Sequence, residues 1–317
     1  MGKDDAVIIQ EAICLGLNPA VDVTYRIGTL VHGEAQRVPH VREQAGGKAT
    51  NVARVVQQLG ERAHLIAALG GPTGEQFAAD LATGGPRLTA VATTRHTRRT
   101  VTIVEDDGTA TALNEAGAAI PPAEWRAVHD SLDEVLAAAS AGSVLVLSGS
   151  LPPGADEAGY AECVAAARAQ GFSVIVDCGG PALLAAIDAG ATHIKPNRHE
   201  LLETVGCDGL AGVSALRERS PGLVVLVSDG PAGLICAGPE GEWRATPSRP
   251  LRGNPVGAGD AVVAAVATGL MLGMPIEAIL RSAVGTSGAA VLNPIAGHID
   301  REVARDLAPT VGLTRLG

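Results

Sequence analysis

Short runs of apolar residues alternate along this chain with longer stretches of helical spacing, and that alternation constrains the fold more than any other feature of the sequence. Ala12–Gly16, Ala63–Ala68, Val144–Leu147, Ser173–Val176, His193–Ile194 and Val224–Val227 are apolar almost throughout. Strands with that texture are buried on both faces, as in the middle of a parallel sheet. Between them the spacing predicts helices over Thr50–Leu59, Thr73–Leu81, Ala155–Gln170, Pro181–Ala189 and Val213–Arg219, with another from near Ala258 to about Leu272. Strands alternating with helices make an α/β fold in which helices cover a mostly parallel central sheet. Hydrophobic residues make up 46% of the 317 residues but aromatic ones only 2%, so the core is packed from Ala, Val, Leu and Ile. No linker of distinct composition divides the chain, which reads as one domain over 1–317.

Two regions break the rhythm. From about 22–43 and 97–116, polar and apolar residues alternate with period two, and Asp107-Gly108 is a hairpin turn signal. These segments predict a small antiparallel sheet inserted into the α/β frame, suited to covering a site, to pairing with a second copy of itself, or to both. The net charge of −10 offers no basic field for nucleic acid or an anionic membrane, so neither is expected as a partner. Cys14, Cys163, Cys178, Cys207 and Cys236 are odd in number and scattered, a pattern of reduced thiols that fits the cytoplasm. The N-terminus lacks the basic-then-apolar pattern of a secretory leader, and the uncharged stretch Ala261–Ile276 is interrupted by two glycines and a proline. A cytoplasmic, membrane-free protein is expected.

Five segments carry chemistry. Asn254-Pro-Val-Gly-Ala-Gly-Asp260 opens a long apolar helix. Gly257, Ala258 and Gly259 can wrap an anion with backbone N–H groups, and Asp260 puts a carboxylate beside it, a pairing that suits phosphoryl transfer. The same residues serve equally as an ordinary glycine-rich turn with Asp260 at the helix start. Lys195-Pro-Asn197-Arg-His-Glu200 places an amide and a carboxylate three residues apart. That spacing suits oxygen ligands near a hydrated Mg²⁺ and equally suits a helix capping box. Ser228-Asp-Gly230-Pro-Ala-Gly233 follows a strand and permits tight turns beside a ligand, or a plain connection. Near the N-terminus, Asp22 ends the first strand region, and Gly46-Gly47-Lys48-Ala-Thr-Asn51 precedes a helix. Asp22 and Asn51 have groups that bond sugar hydroxyls, and Lys48 at a helix start favours an anion. The chain lacks both a Walker loop and a dinucleotide fingerprint.

Taken in this order, these segments resemble the PfkB, or ribokinase-like, family of carbohydrate kinases. Leu17–Asp22, Ala45–Val55, Ser148–Gly154 and Lys195–Leu201 look like its phosphosugar branch, and Val176–Leu184 with Gly297–Asp300 look closest to tagatose-6-phosphate kinase beside 1-phosphofructokinase. The resemblance implies a three-layer ribokinase-like sandwich with a small β lid, often a clasp in a homodimer. It implies transfer of the γ-phosphoryl group of ATP, with Mg²⁺, to a hydroxyl of a ketohexose phosphate such as tagatose 6-phosphate or a fructose phosphate. Asp260 would be the general base, and Gly257, Ala258 and Gly259 the anion hole. Lys195, Asn197, Glu200, Ser228, Gly230 and Gly233 would meet the nucleotide, with Asn197 and Glu200 holding Mg²⁺ through water. Asp22, Gly46, Gly47 and Asn51 would bind the sugar, and Lys48, Arg37 and Arg98 its phosphate. Ala49, Thr102, Asp229 and Ala261 depart from the usual pattern, and Thr102 stands where many 1-phosphofructokinases carry Lys. A kinase of an unphosphorylated sugar or nucleoside, and a non-catalytic sugar-binding protein on the same fold, are the alternatives.

Overall fold

The structure, a computed structural model, describes residues 10–316. The N-terminal residues 1–9, which bear on the leader reading, and residue 317 at the end of the domain range lie outside it. The first half of the chain runs β1 (Ala12–Gly16), β2 (Ala20–Ile27), β3 (His40–Gly46), α1 (Lys48–Leu59), β4 (Ala63–Leu69), α2 (Gly71–Ala82), β5 (Arg87–Ala92), β6 (Arg98–Glu105), β7 (Ala110–Asn114), α3 (Pro122–Ala138) and β8 (Val144–Ser148). It continues with α4 (Gly159–Ala169), β9 (Ser173–Asp177), α5 (Gly180–Asp188), β10 (His193–Ile194), α6 (Arg198–Val205), α7 (Gly209–Arg219), β11 (Val224–Ser228), β12 (Leu234–Gly238) and β13 (Gly241–Thr246). The chain ends with α8 (Ala258–Met271), α9 (Ile276–Leu292), α10 (Arg301–Leu307) and β14 (Gly312–Arg315).

The main sheet has the order β14-β13-β12-β11-β10-β9-β8-β1-β4-β5. From β5 to β11 every pair is parallel, and β12, β13 and β14 extend the β11 edge by antiparallel pairing. Side chains alternate between two cores. In β1, Ala12 and Cys14 join the core under α1, α8 and α9, while Ile13 and Leu15 join the one under α3, α4 and α5. This two-sided burial is why the central strands carry apolar residues at every position. The result is helices, sheet, helices in three layers. Helix α8 sits inside one of those layers with nearly every residue buried, which accounts for its lack of charge after Asp260. No helix of the described residues is long and apolar enough to cross a membrane.

The second sheet has the order β3-β2-β6-β7. Its outer pairs are antiparallel, and its centre is a parallel join of β2 to β6 running from Ala20↔Arg98 to Ile27↔Glu105. β2 follows β1 and β6 follows β5, so the two strands belong to separate insertions and no hairpin turn joins them. Between Gly28 and Pro39 the chain leaves the sheet, so the expected alternation over 22–43 is two strands around an exposed loop.

Several elements lie outside the sequence expectations: α3, α9, α10, β5 and the antiparallel edge β12–β14. In α3, Val128, Leu132 and Leu136 repeat every four residues and are buried, so the signal for that helix was present. The buried face of α9 has Ile279, Leu280 and Val284 in its first half but only small residues, Gly285, Thr286, Gly288, Ala289 and Ala290, after them, which weakens its amphipathic contrast. Helix α4 starts at Gly159 rather than Ala155, because Pro153–Glu157 form turns first.

Candidate active site

The carboxyl ends of the parallel strands open into one cleft of about 1740 Å³, roofed by the second sheet. Open α/β sheets bind ligands at this edge. The last residues of β8, β9 and β11 (Ser148, Asp177 and Ser228) and Lys195, just past β10, all line it. Asp22 reaches it from β2, Lys48 and Asn51 from the start of α1, and Asp260 from the start of α8.

At one end, α8 begins with Gly257 in the left-handed region (φ 85), where a side chain would be strained and would also meet the Gly297 amide nitrogen. The Ala258 N–H turns back to the Pro255 carbonyl at 3.2 Å. The N–H groups of Gly259 and Asp260 have no backbone acceptor among the described residues, so these are the amides that face outward at the helix start. The Asp260 side chain accepts a hydrogen bond from Asn51 Nδ2 at 2.8 Å. Burial, reinforced by the nearby Asp177 carboxylate, pushes its carboxyl up to about 6, against the pull of Lys48, Asn51 and Lys195. A carboxylate held close to neutral and facing a cleft has the properties of a general base.

Beside it lies a group that the sequence analysis did not single out. Asp177 is completely buried and sits 3.0 Å from Lys195 Nζ and 3.6 Å from Lys48 Nζ, while Ser148 Oγ donates to its Oδ2 at 2.9 Å. Burial alone would raise its carboxyl, but the two ammonium groups outweigh it and hold the carboxyl below the ordinary range. Lys48 also lies 3.3 Å from Glu200 Oε1. Asp177, then Glu200 and Asp260, keep its ammonium protonated although the side chain is half-buried. Lys48 is therefore paired to carboxylates in the middle of the cleft.

Asn197 and Glu200 form the capping box that their spacing allows. Asn197 Oδ1 accepts from the Glu200 N–H, and Glu200 Oε2 accepts from the Asn197 N–H, both at 2.8 Å. Both residues line the cleft as well, so the cap fixes two hard oxygen donors at its wall. No cluster of three His, Cys, Asp or Glu side chains suited to a metal occurs among the described residues. Two already hydrogen-bonded oxygens and no closed cage fit an ion such as Mg²⁺, which keeps its waters and takes its remaining ligands from phosphates. Further along the cleft, Ser228 is bridged to Asn197, and Gly230 and Gly233 both have positive φ. A side chain on Gly233 would lie 2.1 Å from the Ala245 carbonyl oxygen. Asp229 points away toward Arg198, 3.9 Å distant, which also holds Asp208 at 2.7 Å.

At the opposite end, Asp22 accepts from Thr100 Oγ1 at 2.5 Å, and burial raises its carboxyl against Thr100, Arg54, Arg98 and the Gly47 N–H. Gly46 lies behind Asp22 rather than in the cleft wall, and a Cβ there would fall 2.0 Å from the Asp22 carboxyl carbon. Gly46→Ala must displace Asp22, so if Asp22 binds the sugar, KM for it rises by about 10-fold or more while KM for nucleotide holds. Steady-state kinetics with each substrate varied in turn check this. Arg98 lines the cleft, donating to the carbonyls of Asn18 (3.1 Å) and Glu115 (2.9 Å). Arg37 stands on the exposed loop between β2 and β3, outside the cleft lining, so this chain's fold does not bring it to the other site residues.

The pfkB family carbohydrate kinase profile matches residues 9–301. A 1-phosphofructokinase of Xanthomonas campestris pv. campestris is 33% identical over 313 residues, 95% of this chain and 97% of its own. The tetrameric inhibited form of phosphofructokinase-2 from Escherichia coli superposes with a TM-score of 0.86 at 28% identity, covering 95% of this chain and 98% of that one. A possible 1-phosphofructokinase from Thermotoga maritima shares the fold with a TM-score of 0.88 at 22% identity over 97% of this chain.

Proposed function

Because this chain belongs to the pfkB family of carbohydrate kinases, with the ribokinase-like fold, we propose that it phosphorylates a ketohexose phosphate with ATP, using Asp260 as the base. The enzyme class itself is a phosphotransferase acting on an alcohol group. The observation that carries the finer reading is that Asp260, at the amide-rich start of α8, shares one cleft with Asp22 and Arg98. A sugar phosphate held by the latter pair can present a hydroxyl to the former.

In this reading Asp260 accepts the proton of the attacking hydroxyl as the new O–P bond forms and the bond to ADP breaks. The N–H groups of Gly259 and Asp260 carry the charge of the moving phosphoryl group. At neutral pH a carboxyl near 6 is mostly ionised, so the base is available without prior deprotonation. Lys48 and Lys195, tied to Asp177, hold positive charge beside the transfer point, and the Ser228–Gly233 turn takes the nucleotide. Asn197 and Glu200 would hold Mg²⁺ through its waters; the ion, when bound, neutralises the triphosphate. The lid closes over the sugar, and its exposed apolar residues Val41 and Leu113 support a homodimer formed through that sheet.

Release of ADP across a panel of fructose 1-phosphate, fructose 6-phosphate, tagatose 6-phosphate and the free ketohexoses tests the acceptor. Phosphorylated ketohexoses are expected to turn over with kcat/KM at least about 100-fold above the free sugars, since a bound phosphate is anchored by charge-assisted bonds. Arg98→Ala should erase most of that preference and leave KM for ATP unchanged. Equal use of free sugars, or an Arg98→Ala enzyme with unaltered preference, sinks the phosphosugar assignment.

A further inference from the structure

Asn51 reads in the sequence as a sugar-binding residue, yet in the fold its side chain is spent on Asp260. It sits in the first turn of α1, 4% exposed, and its Nδ2 donates to Asp260 Oδ2 at 2.8 Å across 209 residues of sequence. That bond is the only one its side chain makes among the described residues, because its Oδ1 is buried without a partner. An amide placed for stability would use both ends, since an unpaired buried oxygen is costly. Gly297 closes the space behind it, where a Cβ would lie 2.3 Å from Oδ1. With that wall in place the amide has little room to turn away, and a flipped amide would set an oxygen against the carboxylate.

We propose that Asn51 is a positioning residue for the base, its N–H fixing Asp260 Oδ2 and favouring the ionised carboxylate that receives the hydroxyl proton. The charged groups that act most on Asp260 are Asp177 at the end of β9, Lys48 on α1 and Lys195 beyond β10; of the other elements packed on α8, β8 has no titratable side chain, β1 has only Cys14, and α9 has Glu277 and Arg281. Asp177 opposes ionisation and the lysines favour it. Asn51 is the neutral donor among them, able to favour the anion without adding charge where the phosphates must enter. This inference rests on the assignment of Asp260 as base.

Carbon-13 labelling of aspartate carboxyls in the full-length, ligand-free enzyme, with the Asp260 resonance identified by its loss in Asp260→Asn, reads the titration directly. The wild-type midpoint is expected near 6. Asn51→Leu should raise it by about one pH unit or more, the effect of removing a hydrogen bond to the charged form. Gly297→Ala, which leaves the amide present but displaced, should move it the same way. The acid limb of kcat/KM should shift with the midpoint, and the lost activity should return at higher pH. Superimposable Asp260 titrations in the wild type and both variants would overturn the proposal. Such a result would leave the kinase reading intact, whereas a shifted midpoint in an enzyme that makes no ADP with any acceptor would defeat the kinase reading alone.

Discussion

Asp260→Asn is expected to fold, to melt a few degrees above the wild type at pH 8, and to lose about 10²- to 10⁴-fold in kcat. The two effects have one cause. Burial and Asp177 raise this carboxyl from 3.8 to about 6. A carboxyl whose folded value is raised destabilises the fold wherever it is ionised, here above about pH 6, by roughly 3 kcal/mol. That cost disappears as pH falls below the unfolded value near 4, so the stability gain of the variant should vanish there. An amide is neutral at every pH and can still accept the Asn51 hydrogen bond, so geometry is retained while the proton acceptor is gone. Thermal melts at pH 8 and pH 4, beside steady-state kinetics, check both parts. A variant that is inactive but less stable at pH 8 would indicate a collapsed site rather than a missing base.

Asp177→Ala should strongly damage the fold. It takes from Lys195 its buried carboxylate partner, leaves Lys48 with Glu200 alone and strands the Ser148 hydroxyl. Removing one partner from a buried ion cluster costs about 3–5 kcal/mol. Because the Asp177 carboxyl is held below its ordinary range, its contribution is present above the unfolded value near 4 and is lost as pH falls through the folded one. The stability difference between wild type and variant, measured by urea unfolding, should therefore be full at pH 7 and shrink in acid. Turnover should drop by about 100-fold as the lysines lose their fixed positions. A wild-type unfolding midpoint at pH 7 would remove Asp177 from the structural core of the site.

The parallel strands and the motif-bearing turns were legible because local rules and tertiary context agree there. Strands β1, β4, β8 and β9 are apolar on both faces for a reason that burial imposes, and the Gly257–Asp260 turn must precede a helix that carries no charge. Pairings across the fold were not legible. The segment Val176–Leu184 carries part of the family resemblance but gives Asp177 no role of its own, and only the register of β8, β9 and β10 brings it between Lys195 and Lys48. The bond between Asn51 and Asp260 joins the starts of two helices far apart in the chain. Arg37 shows the converse: the resemblance implied a phosphate contact, whereas the loop after β2 holds it outside the cleft of its own chain. Spacing could supply two meanings for Asn197 and Glu200, and the fold uses the cap to hold the same two oxygens at the cleft wall.

The most direct test of the central claim is a single turnover followed by phosphorus NMR, with enzyme in excess over MgATP and a saturating ketohexose phosphate. In the wild type the γ-phosphorus signal should pass into a second sugar phosphate ester as ADP appears in equal amount. Asp260→Asn, binding both substrates as tightly, should leave ATP intact on the same timescale. Ester formation at the same rate in both enzymes would contradict the assignment of Asp260 as the base.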